Sequence, residues 1–172
     1  NGNKFVLWGR SMGATSLLRY LQLYSSENIV CGVVDSAYKS LRMLVFDVLP
    51  FIPNFVIEAA YSYICRTNAE KIGYDISNLE VFSKMRTIDC PLLFLASRID
   101  GMVPFGHTYD LFRYKQGEKE LVEICADHND RRSLHVTQKC IAFVMQKLES
   151  YERNRPMQRL PLYYEPELFR TE

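Results

Sequence analysis

The chain has 172 residues, of which 48% are hydrophobic and 24% charged; this is enough to bury one core and short of what several domains need. Its 21 lysines and arginines nearly balance 20 aspartates and glutamates, which argues against the broad positive field that gathers nucleic acid or an anionic membrane surface. No apolar run reaches the roughly 20 residues of a membrane-spanning helix, and five scattered cysteines, odd in number, fit buried thiols of a reducing, cytoplasmic compartment better than a disulfide framework.

Taken in chain order, the apolar run at residues 4–8 predicts a strand. Gly9-Arg10-Ser11-Met12-Gly13 follows it, and a helical stretch runs on from Met12 to residue 24. A serine between a strand and a helix, with glycine two positions before and two after, has the pattern of a nucleophile elbow. In that turn the glycines are expected to give strand and helix room to pass closely, and the serine hydroxyl projects outward. The amide of Met12, at the helix N-terminus, then points toward an oxyanion forming above Ser11 and supplies half an oxyanion hole.

A second strand is predicted at residues 29–34, where Ile29-Val30-Cys31-Gly32-Val33-Val34 is continuously apolar, as in a parallel sheet covered on both faces. Residues 41–68 form an apolar insertion, broken by Pro50 and Pro53 into two helices. In the second of these, at residues 54–66, apolar side chains cover nearly the whole circumference, so burial on several sides is expected, against the sheet or as the wall of an acyl or aromatic pocket. Further on come a strand at 92–97, a helix at 105–114, a strand at 120–125 and a helix at 133–151. This alternation predicts an α/β domain with a mostly parallel sheet flanked by helices. The tail at 151–172 is rich in proline and in tyrosine, leucine and phenylalanine, suited to strapping its own domain or docking elsewhere.

A serine hydroxyl is a poor nucleophile until a base takes its proton, and a histidine base needs a carboxylate to fix its tautomer. Three histidines are present. His128 falls just past the strand at 120–125 and before the last helix, in a loop able to swing its ring toward Ser11. His107 sits at a helix start, where packing is its expected role, and His135 falls on the final helix. Cys125 and His128 have the spacing of half a metal site, with no second ligand pair to complete it, so no metal and no organic cofactor is expected. Among the acids, Asp100 lies past the carboxyl end of the strand at 92–97, with Asp35 and Asp127 as rivals.

Trp8-Gly9-Arg10-Ser11-Met12-Gly13-Ala14 resembles the elbow of the α/β-hydrolase superfamily, most of all its serine-aminopeptidase-like branch of plants and protists. The likeness continues through Val34-Asp35-Ser36-Ala37-Tyr38, Leu93-Phe94-Leu95-Ala96-Ser97-Arg98-Ile99-Asp100 and Ala126-Asp127-His128-Asn129-Asp130-Arg131-Arg132, spanning residues 4–148. The resemblance implies that residues 1–150 are the C-terminal half of a hydrolase domain, with a helical cap insertion at about 41–75 and a tail at 151–172. It also implies the order Ser11, Asp100, His128 for nucleophile, acid and base. The expected reaction is hydrolysis of an ester, thioester or amide of a small-molecule, acylated or peptide substrate through an acyl-enzyme. Members of the family carry further strands and an oxyanion loop before the elbow. The strand at Phe5 to Trp8 is therefore expected to pair with an N-terminal half of the same protein or with another chain. The alternative is a non-catalytic hydrolase-fold module that binds through the cap or the tail.

Overall fold

The computed structural model describes residues 3–24 and 27–153. Among the described residues, four strands form one sheet: β1 (Phe5–Arg10), β2 (Ile29–Asp35), β3 (Leu92–Ser97) and β4 (Lys119–Ile124). They lie in sequence order and every neighbouring pair is parallel. Parallel neighbours need a crossover, and helices supply it. α1 (Met12–Leu23) joins β1 to β2; α2 (Leu41–Val48) and α3 (Asn54–Ile72) lie between β2 and β3; α4 (Phe105–Tyr114) joins β3 to β4; and α5 (Leu134–Arg153) follows β4.

Alternate residues of the central strands point to opposite faces, so the sheet has two cores. Val34, Leu92 and Phe94 face one way and pack with Leu17, Leu18 and Leu21 of α1, Leu111 of α4, and Met85 of the 3₁₀ segment Phe82–Thr87. Val33, Leu93 and Leu95 face the other way, against Val136, Cys140 and Phe143 of α5. All seven residues of β2 and all six of β3 are buried. That is why both read as unbroken apolar runs.

The insertion behaves differently from its expected burial. α2 is capped by Ser40, whose hydroxyl accepts the Met43 amide. α3 runs six residues past the predicted end and stops at Gly73, which takes the left-handed conformation at φ 68° that glycine adopts without a Cβ penalty. On α3 only Ile57 and Tyr61 are buried; Phe55 is 77% exposed and Tyr63 71% exposed. Expected burial on several sides is therefore corrected: the helix packs mainly on α2 and on the 3₁₀ turn Ile76–Asn78. An all-round apolar helix can be left uncovered when its neighbours contact one stripe. Residues 154–172, the greater part of the predicted tail, lie outside the described residues.

Among the described residues, β1 is an edge strand of this sheet. Phe5 and Trp8 are about half exposed, and with Leu7, Gly13, Leu17 and Tyr20 they line an open apolar groove of about 550 Å³ between β1 and α1. Among the described residues, no helix is long and apolar enough to cross a membrane.

Candidate active site

The carboxyl ends of all four strands meet at one rim, where ligands of open parallel sheets bind. β1 delivers Ser11, β2 delivers Asp35 and Ser36, the loop after β3 carries Asp100, and the loop after β4 carries His128.

Ser11 occupies a turn at φ 54° and ψ −121°, a backbone state that side chains other than glycine rarely adopt. Its amide donates to the Asp35 carbonyl at 2.8 Å and its carbonyl accepts the Thr15 amide, so the turn is fixed from both sides. Gly9 permits this approach: a Cβ there would lie 2.4 Å from the Gly13 carbonyl oxygen. Gly13 does not have the matching role expected of it. A Cβ at Gly13 meets nothing within 4 Å, because that position opens onto the groove beside β1. Met12 opens α1, so its N–H is one of the first amides of the helix and has no carbonyl partner within it.

His128 Nε2 lies 3.0 Å from Ser11 Oγ, and His128 Nδ1 lies 2.9 and 3.1 Å from the two oxygens of Asp100. The partners assign the tautomer: with Asp100 ionised, Nδ1–H donates to it and Nε2 accepts from the Ser11 hydroxyl. Asp100 and His128 are both buried, and Ser11 is half-buried. Burial alone pushes the Asp100 carboxyl up. The amides of Val103 and Met102, which donate to Oδ1 at 2.7 and 2.9 Å, and the His128 ring outweigh that and hold it below its ordinary value. The group stays an anion facing an imidazole.

The loops carrying these groups are tied to each other. Ser97 Oγ donates to the Ala126 carbonyl at 2.6 Å, linking the end of β3 to the loop after β4. Asp127 accepts from the amides of Gly101 and His128 at 2.9 and 2.7 Å, and these bonds lower its carboxyl below the ordinary range. Asp35, the other rival acid, is engaged by Arg132, whose Nε and Nη2 each lie 2.9 Å from a carboxylate oxygen.

The remaining histidines are elsewhere. His107 is buried at the start of α4, where Nδ1 accepts the Lys39 amide at 3.3 Å. Asp47 Oδ2 of α2 lies 3.0 Å from Nε2, off the line of a hydrogen bond and hence an electrostatic contact. His135 is exposed on α5, and Cys125 is exposed. The thiols of Cys31, Cys90 and Cys140 are buried, and burial first of all pushes them up to about 11, 12 and 11.

No model of a protein family matches this sequence, and no curated protein matches it. Solved structures do. The acetyl xylan esterase 1 of a Thermoanaerobacterium species superposes with a TM-score of 0.60 at 15% identity over 84% of this chain and 46% of its own. The fold is that of the α/β-hydrolases. The monoacylglycerol lipase of Paleococcus ferrophilus gives 0.60 at 18% identity over 86% of this chain and 69% of its own, and mouse alpha/beta hydrolase domain-containing protein 10 gives 0.63 at 16% over 86% and 64%. Such identities establish fold alone. The chain spans about half the length of the xylan esterase, so it corresponds to part of that fold.

Arg10, Arg132 and Ser97 also belong to the site, and no motif marks them, although Arg132 lies only four residues past the proposed base. Arg10 reaches carbonyls 118 and 120 residues away, Arg132 a carboxylate 97 away and Ser97 a carbonyl 29 away, and spacing along a sequence carries no signal for contacts of that kind.

Proposed function

We propose that this chain carries the catalytic residues of a serine hydrolase acting on an ester, thioester or amide. The observation that carries the reading is the unbroken line from Ser11 Oγ through the His128 ring to Asp100, with all contacts between 2.9 and 3.1 Å. Nε2 takes the hydroxyl proton as Ser11 Oγ bonds to the acyl carbon, and the Asp100 carboxylate stabilises the imidazolium formed. The imidazolium then protonates the leaving group as its bond to carbon breaks, leaving an acyl-enzyme. Water, deprotonated by Nε2, attacks the acyl carbon, and as the bond from carbon to Ser11 Oγ breaks the imidazolium returns the proton to Oγ, releasing the acid and restoring the serine hydroxyl. Met12 N–H stabilises the negative oxygen of each tetrahedral state.

One such donor is half of a hole. A further strand paired on the β1 edge that the described residues leave open, from the same polypeptide or from another chain, covers the apolar groove between β1 and α1 and brings the second donor within reach. The residue pattern favours the serine-aminopeptidase-like branch, with α2 and α3 as the cap over the rim and the acyl group or peptide side chain of the substrate beneath it. Three buried free thiols favour a reducing, cytoplasmic setting.

A second reading rests on the exposed apolar side chains of the insertion, with Phe51, Phe55 and Tyr63 uncovered together: a binding module that docks a partner through α3. A fluorophosphonate probe separates the two. Hydrolase function predicts labelling that disappears in Ser11→Ala; absence of labelling in the complete natural protein favours the module.

A further inference from the structure

The loop at residues 125–133 has no regular secondary structure, yet the His128 ring must stay within a few tenths of an ångström of Ser11 and Asp100 for proton transfer. Its backbone is held by two arginines. Arg10, the last residue of β1 and the neighbour of Ser11, donates through Nη2 to the carbonyls of His128 and, at 3.1 Å, of Asp130. Arg132 donates through Nη1 to the Asp127 carbonyl at 3.0 Å, and its Nε and Nη2 fork onto the Asp35 carboxylate.

Asp35 is the common anchor. Its carboxylate is buried, accepts the Ser36 hydroxyl at 3.1 Å and also lies 3.9 Å from Arg10 Nε. Its carbonyl accepts the Ser11 amide. One residue at the end of β2 thus holds the serine through its main chain and the histidine loop through its side chain. The Arg132 side chain is nine-tenths buried against it, and a planar guanidinium satisfies both carboxylate oxygens in a geometry that an ammonium cannot reproduce.

We propose that Arg132 and Arg10, anchored on Asp35, are positioning residues that register the His128 loop against Ser11. This rests on the serine hydrolase reading above. They touch no reacting atom. They act through the main chain of Asp127, His128 and Asp130, and the arrangement couples the nucleophile and the base through one carboxylate.

The test uses the complete natural protein, p-nitrophenyl butyrate as substrate, and proton NMR of the His128 Nδ1–H held by Asp100. Arg132→Gln and Arg132→Lys are each expected to lower kcat about 10- to 100-fold with KM within about twofold, and to broaden or remove the Nδ1–H resonance while other amide signals persist. The lysine variant gives no rescue. Arg10→Gln, which leaves no buried charge alone, is expected to lower kcat about tenfold with the same spectroscopic change. Folded Arg132 variants with kcat and the resonance unchanged overturn the proposal. If the Arg132 variants do not fold, Arg10→Gln decides by the same two readouts. A parent protein whose fluorophosphonate labelling survives Ser11→Ala overturns the hydrolase reading itself, whatever the arginine variants do.

Discussion

A Cβ on Gly9 would lie 2.4 Å from the carbonyl oxygen of Gly13, whereas a Cβ on Gly13 would meet nothing within 4 Å. The two glycines of the elbow motif are therefore not equivalent in this chain. Gly9→Ala pushes backbone against backbone and is expected to destabilise by about 1–3 kcal/mol. Gly13→Ala sits in the first turn of α1 and is expected to be neutral or to stabilise by up to about 1 kcal/mol. Urea denaturation of this chain checks both. Equal destabilisation by the two would show that something seated on the groove beside β1 already crowds Gly13.

Asp100 holds the His128 tautomer and accepts the amides of Met102 and Val103. Asp100→Asn keeps the shape of the side chain and one acceptor oxygen but turns an N–H toward the ring, which favours the wrong tautomer. A kcat reduction on the order of 10⁴-fold is expected, with KM little changed. Steady-state hydrolysis of p-nitrophenyl esters measures it, and a loss under tenfold would remove Asp100 from its proposed role.

Phe94 is fully buried in β3, and Phe55 is mostly exposed on α3. Phe94→Ala is expected to cost about 3–5 kcal/mol through lost burial and the cavity left behind. Phe55→Ser is expected to change stability by less than about 0.5 kcal/mol. Denaturant midpoints compare the two directly. A large loss from Phe55→Ser would mean that α3 is covered in solution.

Much of this fold was legible because a parallel sheet covered on both faces forces its inner strands to be apolar. The predicted β3 and α4 coincide with the observed Leu92–Ser97 and Phe105–Tyr114. β1 reaches two residues further than expected, because its register with β2 continues through Gly9 and Arg10 to the turn itself. α3 is predicted at 54–66 and extends to Ile72, since nothing between Thr67 and Ile72 breaks a helix before Gly73. Which face of α3 is covered lies beyond any single-helix pattern. At the rim, the candidates Ser11, Asp100 and His128 follow from strand ends and motif order, and the structure brings their side chains together. The Arg132 to Asp35 fork joins residues on different elements, and only folding makes them neighbours.

Burial holds the His107 imidazole below its ordinary 6.5; the Asp47 carboxylate opposes that, the Lys39 ammonium adds to it, and Asp110 opposes it more weakly. The folded state therefore binds this proton more weakly than the unfolded chain. Stability from the neutral ring is complete above about pH 6.5 and declines as the pH falls below it, until the folded ring is protonated as well, at a slope of at most about 1.4 kcal/mol per pH unit. Urea denaturation from pH 8 to 5 is expected to show this decline, and His107→Gln is expected to flatten it. An equal slope in parent and variant would assign the acid sensitivity to other groups.

The central claim concerns a single oxygen. In the complete natural protein, a fluorophosphonate is expected to add one phosphonyl group, found by mass spectrometry on the peptide containing Ser11, with labelling abolished in Ser11→Ala and slowed on the order of 10³-fold or more in His128→Ala. Modification at another residue, or labelling at an undiminished rate without His128, would contradict the account.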